Sequence, residues 1–178
     1  NMTVFFTASL EGKKDYQEYY DYIIKRLQES GVEVISREIQ TYDSLLDDKS
    51  MKGLEADEIH YKFVKKSISL ANAIVIEASL SKFQLGHEAT LALLYNKPVI
   101  CLSQTKDYSI QIKHPLFYAK KYSNKKEIDI IINEFVGTLK NKYLSVRFNA
   151  FLSPEQKTFL DWYGEKEKKN VRKENKFR

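Results

Sequence analysis

The stretch ANAIVIEASLSKFQLGHEATLALLYNKPVICL, residues 71–102, carries a strand, a loop, a helix and a second strand within the length of one βαβ unit. Ala73 to Ile76 is a continuous apolar run rich in β-branched side chains, which suits a parallel strand covered on both faces. Val99 to Leu102 repeats that character after the Asn96-Lys97-Pro98 break, so two buried neighbouring strands are expected. Between them Ser79 to Leu85 is short and polar, and Gly86 permits close backbone approach. Ala89, Leu91, Ala92, Leu93 and Leu94 then read as a helix pressed onto the sheet, with Glu88 in its first turn.

That address has a chemical meaning. Open parallel sheets bind ligands beyond the carboxyl ends of their strands, and a helix N-terminus presents unpaired N–H groups and partial positive charge. A carboxylate there is favoured in its ionised form, as a nucleophile requires; the plainer role of a good first-turn residue suits Glu88 equally well.

Outward from the block, Thr3 to Ala8 is a first strand and Ser9 to Lys14 a loop able to cradle an anion. Asp15 to Ser30 is a helix, stopped at Gly31, whose Tyr16, Tyr19, Tyr20, Ile23 and Leu27 share a face fit for core or subunit contact. Glu33 to Ser36 is the second strand. Residues 38–58 are acidic and irregular, either solvated loop or a lid closing through Tyr42 or Met51, and Glu58 to Leu70 is the helix leading into the central block. Beyond it come a polar loop to Ile112, a short strand near Leu116 to Lys120 and a long helix from Lys125 to Leu144. The expected fold is α/β, a doubly wound parallel sheet of about five strands flanked by helices, with the main domain at 1–144.

Residues 145–178 read as an appendage. Arg147 to Leu152 alternates polar and apolar like a strand, and Ser153-Pro154-Glu155 opens a helix. Strand then helix is half of a ribbon-helix-helix module, which keeps a dimeric DNA-binding regulator among the readings.

Ala71-Asn72, the apolar strand, Glu77, Ser79, Gly86 and Glu88 resemble the central block of the nucleoside 2-deoxyribosyltransferases and the related deoxynucleoside 5′-monophosphate N-glycosidases. Val4 to Ser9 followed by Gly12 is similar to their opening strand and glycine/serine loop, and the likeness runs over roughly residues 3 to 140. It implies a flavodoxin-like strand order, a homodimer, a nucleoside or nucleotide substrate, and Glu88 as the nucleophile that attacks the anomeric carbon. It further implies substrate contacts from Phe5, Ser9, Gly12, Glu77, Ser79, Ser81 and Gly86, and brings Ser109 or His114 near the substrate of an adjoining subunit.

The departures matter as much. The family has an aromatic hydroxyl at Phe5, an aspartate at Asn72, an acid at Val64 and a glycine at Gln84. The acid that assists the departing base is therefore missing, unless Glu77 or Asp57 substitutes. A nucleotide-binding sensor that has lost its chemistry is the second reading.

At 178 residues and 43% hydrophobic content the chain can bury one good core. No apolar run reaches bilayer length and no leader pattern opens the sequence, so a cytoplasmic protein is expected. Cys101 is the sole cysteine and His60, His87 and His114 are scattered, so no metal site or cofactor is expected. Of the net charge of +5, +4 belongs to residues 165–178, with seven Lys or Arg against three Glu. The remainder is nearly neutral, which argues against nucleic acid as the main partner.

Overall fold

The computed structural model describes residues 1–39 and 42–150. In chain order the elements are β1 (Thr3–Ala8), α1 (Lys13–Glu29), β2 (Glu33–Ile35), a 3-10 turn (Tyr42–Ser44), α2 (Asp48–Met51), α3 (Ala56–Leu70) and β3 (Ala73–Glu77). Then follow α4 (Phe83–Leu94), β4 (Val99–Ser103), a second 3-10 turn (Tyr108–Ile110), β5 (Phe117–Lys121) and α5 (Lys125–Ala150). All strand pairs are parallel and the order is β2-β1-β3-β4-β5, the doubly wound, flavodoxin-like arrangement expected. Winding reverses between β1 and β3, which places the crevice of such a sheet beside the carboxyl end of β1.

Alternation along β1 sends Phe5 and Phe6 to opposite faces. Phe5 meets Phe63 of α3 edge-on at 6.3 Å, in a core that also takes Ile68 of α3 and Leu85, Ala89 and Ala92 of α4. Phe6 meets Tyr20 of α1 at 6.1 Å on the other face, where Ile23, Ile24 and Leu27 are also buried. α1 is tied to α5 by the Tyr22 hydroxyl, which donates to Asp129 at 2.7 Å, and by Arg26 paired with the same carboxylate at 2.8 Å. Three of the four tyrosines of α1 are thus used within the chain: Tyr20 donates to the Ser9 carbonyl, Tyr22 reaches Asp129 and Tyr19 packs on Tyr122.

Local signals act where they stand. Gly31 takes φ 81° and ends α1, and Asn96 at φ 55° ends α4 before Lys97-Pro98. α3 begins at Ala56, two residues before the expected start, because Glu55 and Glu58 form a reciprocal capping box.

Two expectations need correction. α4 begins at Phe83, so Gly86 lies within the helix and Glu88 in its second turn; Lys82 sits at the N-cap without capping it through its side chain. At the other end, α5 continues through Arg147–Ala150, where alternation predicted strand, since the i, i+3 and i+4 stripe begun at Ile128, Ile131 and Ile132 carries the helix on. Phe151 and Leu152, the helix from Ser153 and the DNA-binding reading lie outside the described residues. Residues Asn1–Gly137 form one compact unit and Thr138–Arg178 a second. Among the described residues no helix is long and apolar enough to cross a membrane, and no group of three His, Cys, Asp or Glu is placed to hold a metal ion.

Candidate active site

Thr7 is two residues beyond Phe5 on β1 and so points to the same face, where α4 lies. Its hydroxyl donates to Glu88 Oε2 at 2.8 Å. Gln84, one turn earlier on α4, donates from its amide to Glu88 Oε1 at 3.2 Å. Glu88 is 1% exposed, so its charge is stripped of water and replaced by two hydrogen bonds from neutral groups. Burial wins: the carboxyl is raised to about 7, against the lowering influence of Thr7, Gln84 and Arg37. Burial thus works against the expected preference for the ionised form, because in the second turn the carboxyl is surrounded by core atoms rather than by the unpaired amides of the helix end.

Between the carboxyl ends of β1 and β2 lies a polar hollow of about 20 Å³, walled by the partners Thr7 and Gln84 but not by Glu88 itself. Phe5, Thr7, Ser36, Arg37, His60 and Gln84 are among its walls. Arg37 and Gln84 are exposed and Leu10 is 51% exposed, so flexible side chains roof the hollow and must turn aside for anything larger than a water. His60 of α3, half-buried, brings Nε2 to 4.0 Å from Glu88 Oε1 and also touches the Gln84 amide. Its Nδ1 is 3.2 Å from both Arg37 Nη1 and the Tyr42 hydroxyl. Burial, and then the Arg37 charge, push the imidazole below its ordinary value.

A second cavity, of about 460 Å³, opens on another flank of α4, past Phe83, Gly86, His87 and Thr90. Its floor is apolar, formed by Ile76, Leu85, Ala89, Cys101 and Phe117, and burial pushes the Cys101 thiol up to about 12, which keeps it protonated. Glu88 is not among its walls. Residues 86 and 88 of a helix differ by roughly 200° in direction, so Gly86 and the Glu88 carboxylate look into different spaces. A Cβ at Gly86 would meet no atom within 4 Å. Gly86→Ala should therefore relieve the entropic cost of a helical glycine and raise the melting temperature by roughly 2–4 °C, read by calorimetry. A simultaneous tenfold rise in KM would mark this glycine as the point where a ligand approaches the backbone.

The other candidate residues divide by position. Phe5 is core yet reaches the hollow. Ser9 is 7% exposed, and its carbonyl accepts from the Gly12 amide and the Tyr20 hydroxyl, each at 3.2 Å. A Cβ on Gly12 would collide with that hydroxyl and crowd the Ser9 carbonyl, so packing alone explains the glycine. Glu77, fully buried, accepts from the Ser79 amide at 3.2 Å, the Ser79 hydroxyl and the Tyr122 hydroxyl at 3.0 Å. Ser79 in turn accepts from the Gln104 amide at 2.9 Å, so this pair fastens the loops after β3 and β4. Ser81 is exposed at the edge of the larger cavity. In the loops after β4, the Ser109 amide donates to Asp107 at 2.9 Å and His114 Nδ1 accepts the Leu116 amide at 3.0 Å.

Neither position of the missing acid lies at the site. Asn72 is at the amino end of β3, accepting the Thr3 amide at 2.8 Å, a full strand length from Glu77, and Val64 is 3% exposed in the core. Asp57 is exposed in the first turn of α3, bonded to the amide of Glu58. The partners that do surround Glu88 are Thr7, Gln84 and His60, with Arg37 and Tyr42 behind. The spacing of Gln84 and Glu88 at i, i+4 was a readable signal for one of them. Nothing in the sequence alone links His60 or Arg37 to a residue on α4.

The chain matches known proteins along most of its length, although no family model matches it. It is 30% identical over 148 residues to 5-hydroxymethyl-dUMP N-hydrolase of Danio rerio, spanning 78% of this chain and 98% of that protein. It is 24% identical over 144 residues to a Methanosarcina mazei protein provisionally named 2′-deoxynucleoside 5′-phosphate N-hydrolase 1, spanning 77% and 85%. The solved structure of Clostridium botulinum CMP N-glycosidase superposes with a TM-score of 0.50 at 17% identity, over 75% of this chain and 97% of that one, a likeness of fold alone. Identity and coverage against the zebrafish protein make this chain a divergent member of the nucleoside 2-deoxyribosyltransferase and nucleotide N-glycosidase family.

Proposed function

We propose that the protein cleaves the N-glycosidic bond of a nucleoside or nucleotide, with Glu88 as nucleophile. The observation that carries this is the seating of one buried carboxylate near the carboxyl end of β1, held by Thr7 and Gln84, two of the residues that wall a small polar hollow. Attack by that carboxylate on the anomeric carbon expels the base and leaves a glycosyl ester on Glu88. Water or a second base then displaces the ester, so hydrolysis and transfer share one intermediate and the sugar keeps its configuration. The 5′-phosphate named for the zebrafish and archaeal relatives makes nucleoside monophosphates the first substrates to try.

The test is a panel of nucleosides and their 5′-monophosphates, ribo and deoxy, scored for free base by chromatography. Wild type should release base from at least one, and Glu88→Gln should release none while still binding it, since the amide keeps the shape but cannot form the ester. Base release by Glu88→Gln at the wild-type rate removes the covalent mechanism. The sensor reading is favoured by Asn72 and Val64, which supply no carboxylate to the reaction. Nucleotides that raise the melting temperature of wild type without any base appearing would establish it.

A further inference from the structure

A leaving base needs a proton, and the one carboxylate among the described residues that line the hollow, Glu38, is paired with Lys13 at 3.2 Å and accepts from Gln17 at 3.1 Å. Asn72 is at the far end of β3, Val64 is sealed in the core, Asp57 faces solvent, and Glu77 is enclosed by Ser79 and Tyr122. One helical turn before Val64, His60 places Nε2 at 4.0 Å from Glu88 Oε1, inside the walls of the same hollow. We propose that His60 is the proton donor to the departing base; this rests on the reading of Glu88 as nucleophile.

The ring is held for that task. The Tyr42 hydroxyl lies 3.2 Å from Nδ1 and can accept its proton, which Arg37 Nη1, at the same distance, cannot. With Nδ1 keeping its proton, Nε2 is the nitrogen that gains and loses the titrating one; it lies on the side of Glu88, where the Gln84 amide touches it and must turn aside when Nε2 is protonated. Tyr42 also packs edge-on against Phe63 at 5.2 Å, which anchors the ring's support in the core. The charged or titratable groups facing His60 are Arg37 after β2, Tyr42 from the 3-10 turn and Glu88 from α4. Burial raises the carboxyl, while burial and Arg37 lower the imidazole.

The balance closes with the one titrating proton. It starts on His60 while Glu88 is a carboxylate; an oxygen of Glu88 bonds to the anomeric carbon as the bond from that carbon to the base nitrogen breaks. The electron pair stays on the nitrogen, and the Nε2 proton moves to the base. In the second half water bonds to the anomeric carbon and the ester C–O electrons return to Glu88. Neutral Nε2 takes the proton that water gives up, and the pair is restored.

The experiment compares a nucleotide that wild type cleaves with the same sugar phosphate bearing a group that departs unprotonated, an N7-methylated purine or a nitrophenolate. His60→Gln should lower kcat/KM on the ordinary base by roughly 10²- to 10⁴-fold and change it less than tenfold on the activated group. His60→Asp, which returns a carboxylic acid, should recover part of the loss on the ordinary base. Equal losses on both substrates would reduce His60 to a structural support, and an unchanged rate on the ordinary base would remove it from the reaction; either overturns the proposal. Failure of the Glu88 reading looks different, as wild type then releases no base, or Glu88→Gln releases it normally.

Discussion

Glu88→Gln is expected to make the protein more stable as it makes it inactive. A folded-state carboxyl at about 7 against 4.5 in the unfolded chain means that at pH 8 both states are ionised and the folded one bears the desolvation, a cost of about 3 kcal/mol. Between pH 7 and 4.5 the folded state binds a proton that the unfolded state has lost, so stability rises as the pH falls. Below 4.5 both are protonated and the contribution vanishes. The glutamine carries no charge at any pH, so its melting temperature should exceed wild type by roughly 5–10 °C at pH 8, with the gap closing by pH 4.5. A gap that is absent at pH 8, or that persists unchanged at pH 4.5, would show that Glu88 is not held in a dry site. The direction is that of a functional residue kept at a thermodynamic cost.

Burial raises the carboxyl of Glu77, the other buried glutamate, as well, yet removing its acceptor oxygens altogether is expected to destabilise the fold. There the carboxylate is enclosed by donors, and Glu77→Ala leaves the Ser79 amide and hydroxyl and the Tyr122 hydroxyl facing a void. Each orphaned donor costs about 1–3 kcal/mol, so a loss of about 3–5 kcal/mol and a melting temperature lower by roughly 10 °C should follow in chemical and thermal denaturation. Glu77→Gln, which keeps an acceptor oxygen, should lose less than half as much. A cost below about 1 kcal/mol for the alanine would mean that Ser79 and Tyr122 find other partners and that Glu77 does not fasten the loops.

The sheet was legible because its strands are buried on both faces, and such strands announce themselves as unbroken apolar runs: Val4 to Phe6, Ala73 to Ile76 and Val99 to Leu102 stand where those runs predict. The start of α4 was not, since no capping residue precedes Phe83 and the glycine that suggested a loop is simply an uncrowded helical position. The nucleophile candidate was legible through its place after β3. Its partners were not, because His60, Arg37 and Tyr42 reach it only through tertiary contact, from segments 28 to 51 residues earlier in the chain. Glu77 shows the reverse limit: a short polar motif near a site reads the same whether its carboxylate faces a ligand or a neighbouring loop.

β1 is hydrogen-bonded along both edges, to β2 through Thr3, Val4 and Phe5 and to β3 from Val4 to Ala8. Slipping it by one residue would exchange its two faces, so Thr7 is aimed by two ladders at once. Strands clamped in this way open only with the whole domain, on the slow scale of global unfolding, whereas exposed side chains such as Arg37 and Gln84 turn over in picoseconds to nanoseconds. The two halves of the site therefore run on different clocks. The grip of β1 on the Glu88 carboxylate lasts as long as the fold, while the roof above it can be rearranged many times during a single encounter with a ligand.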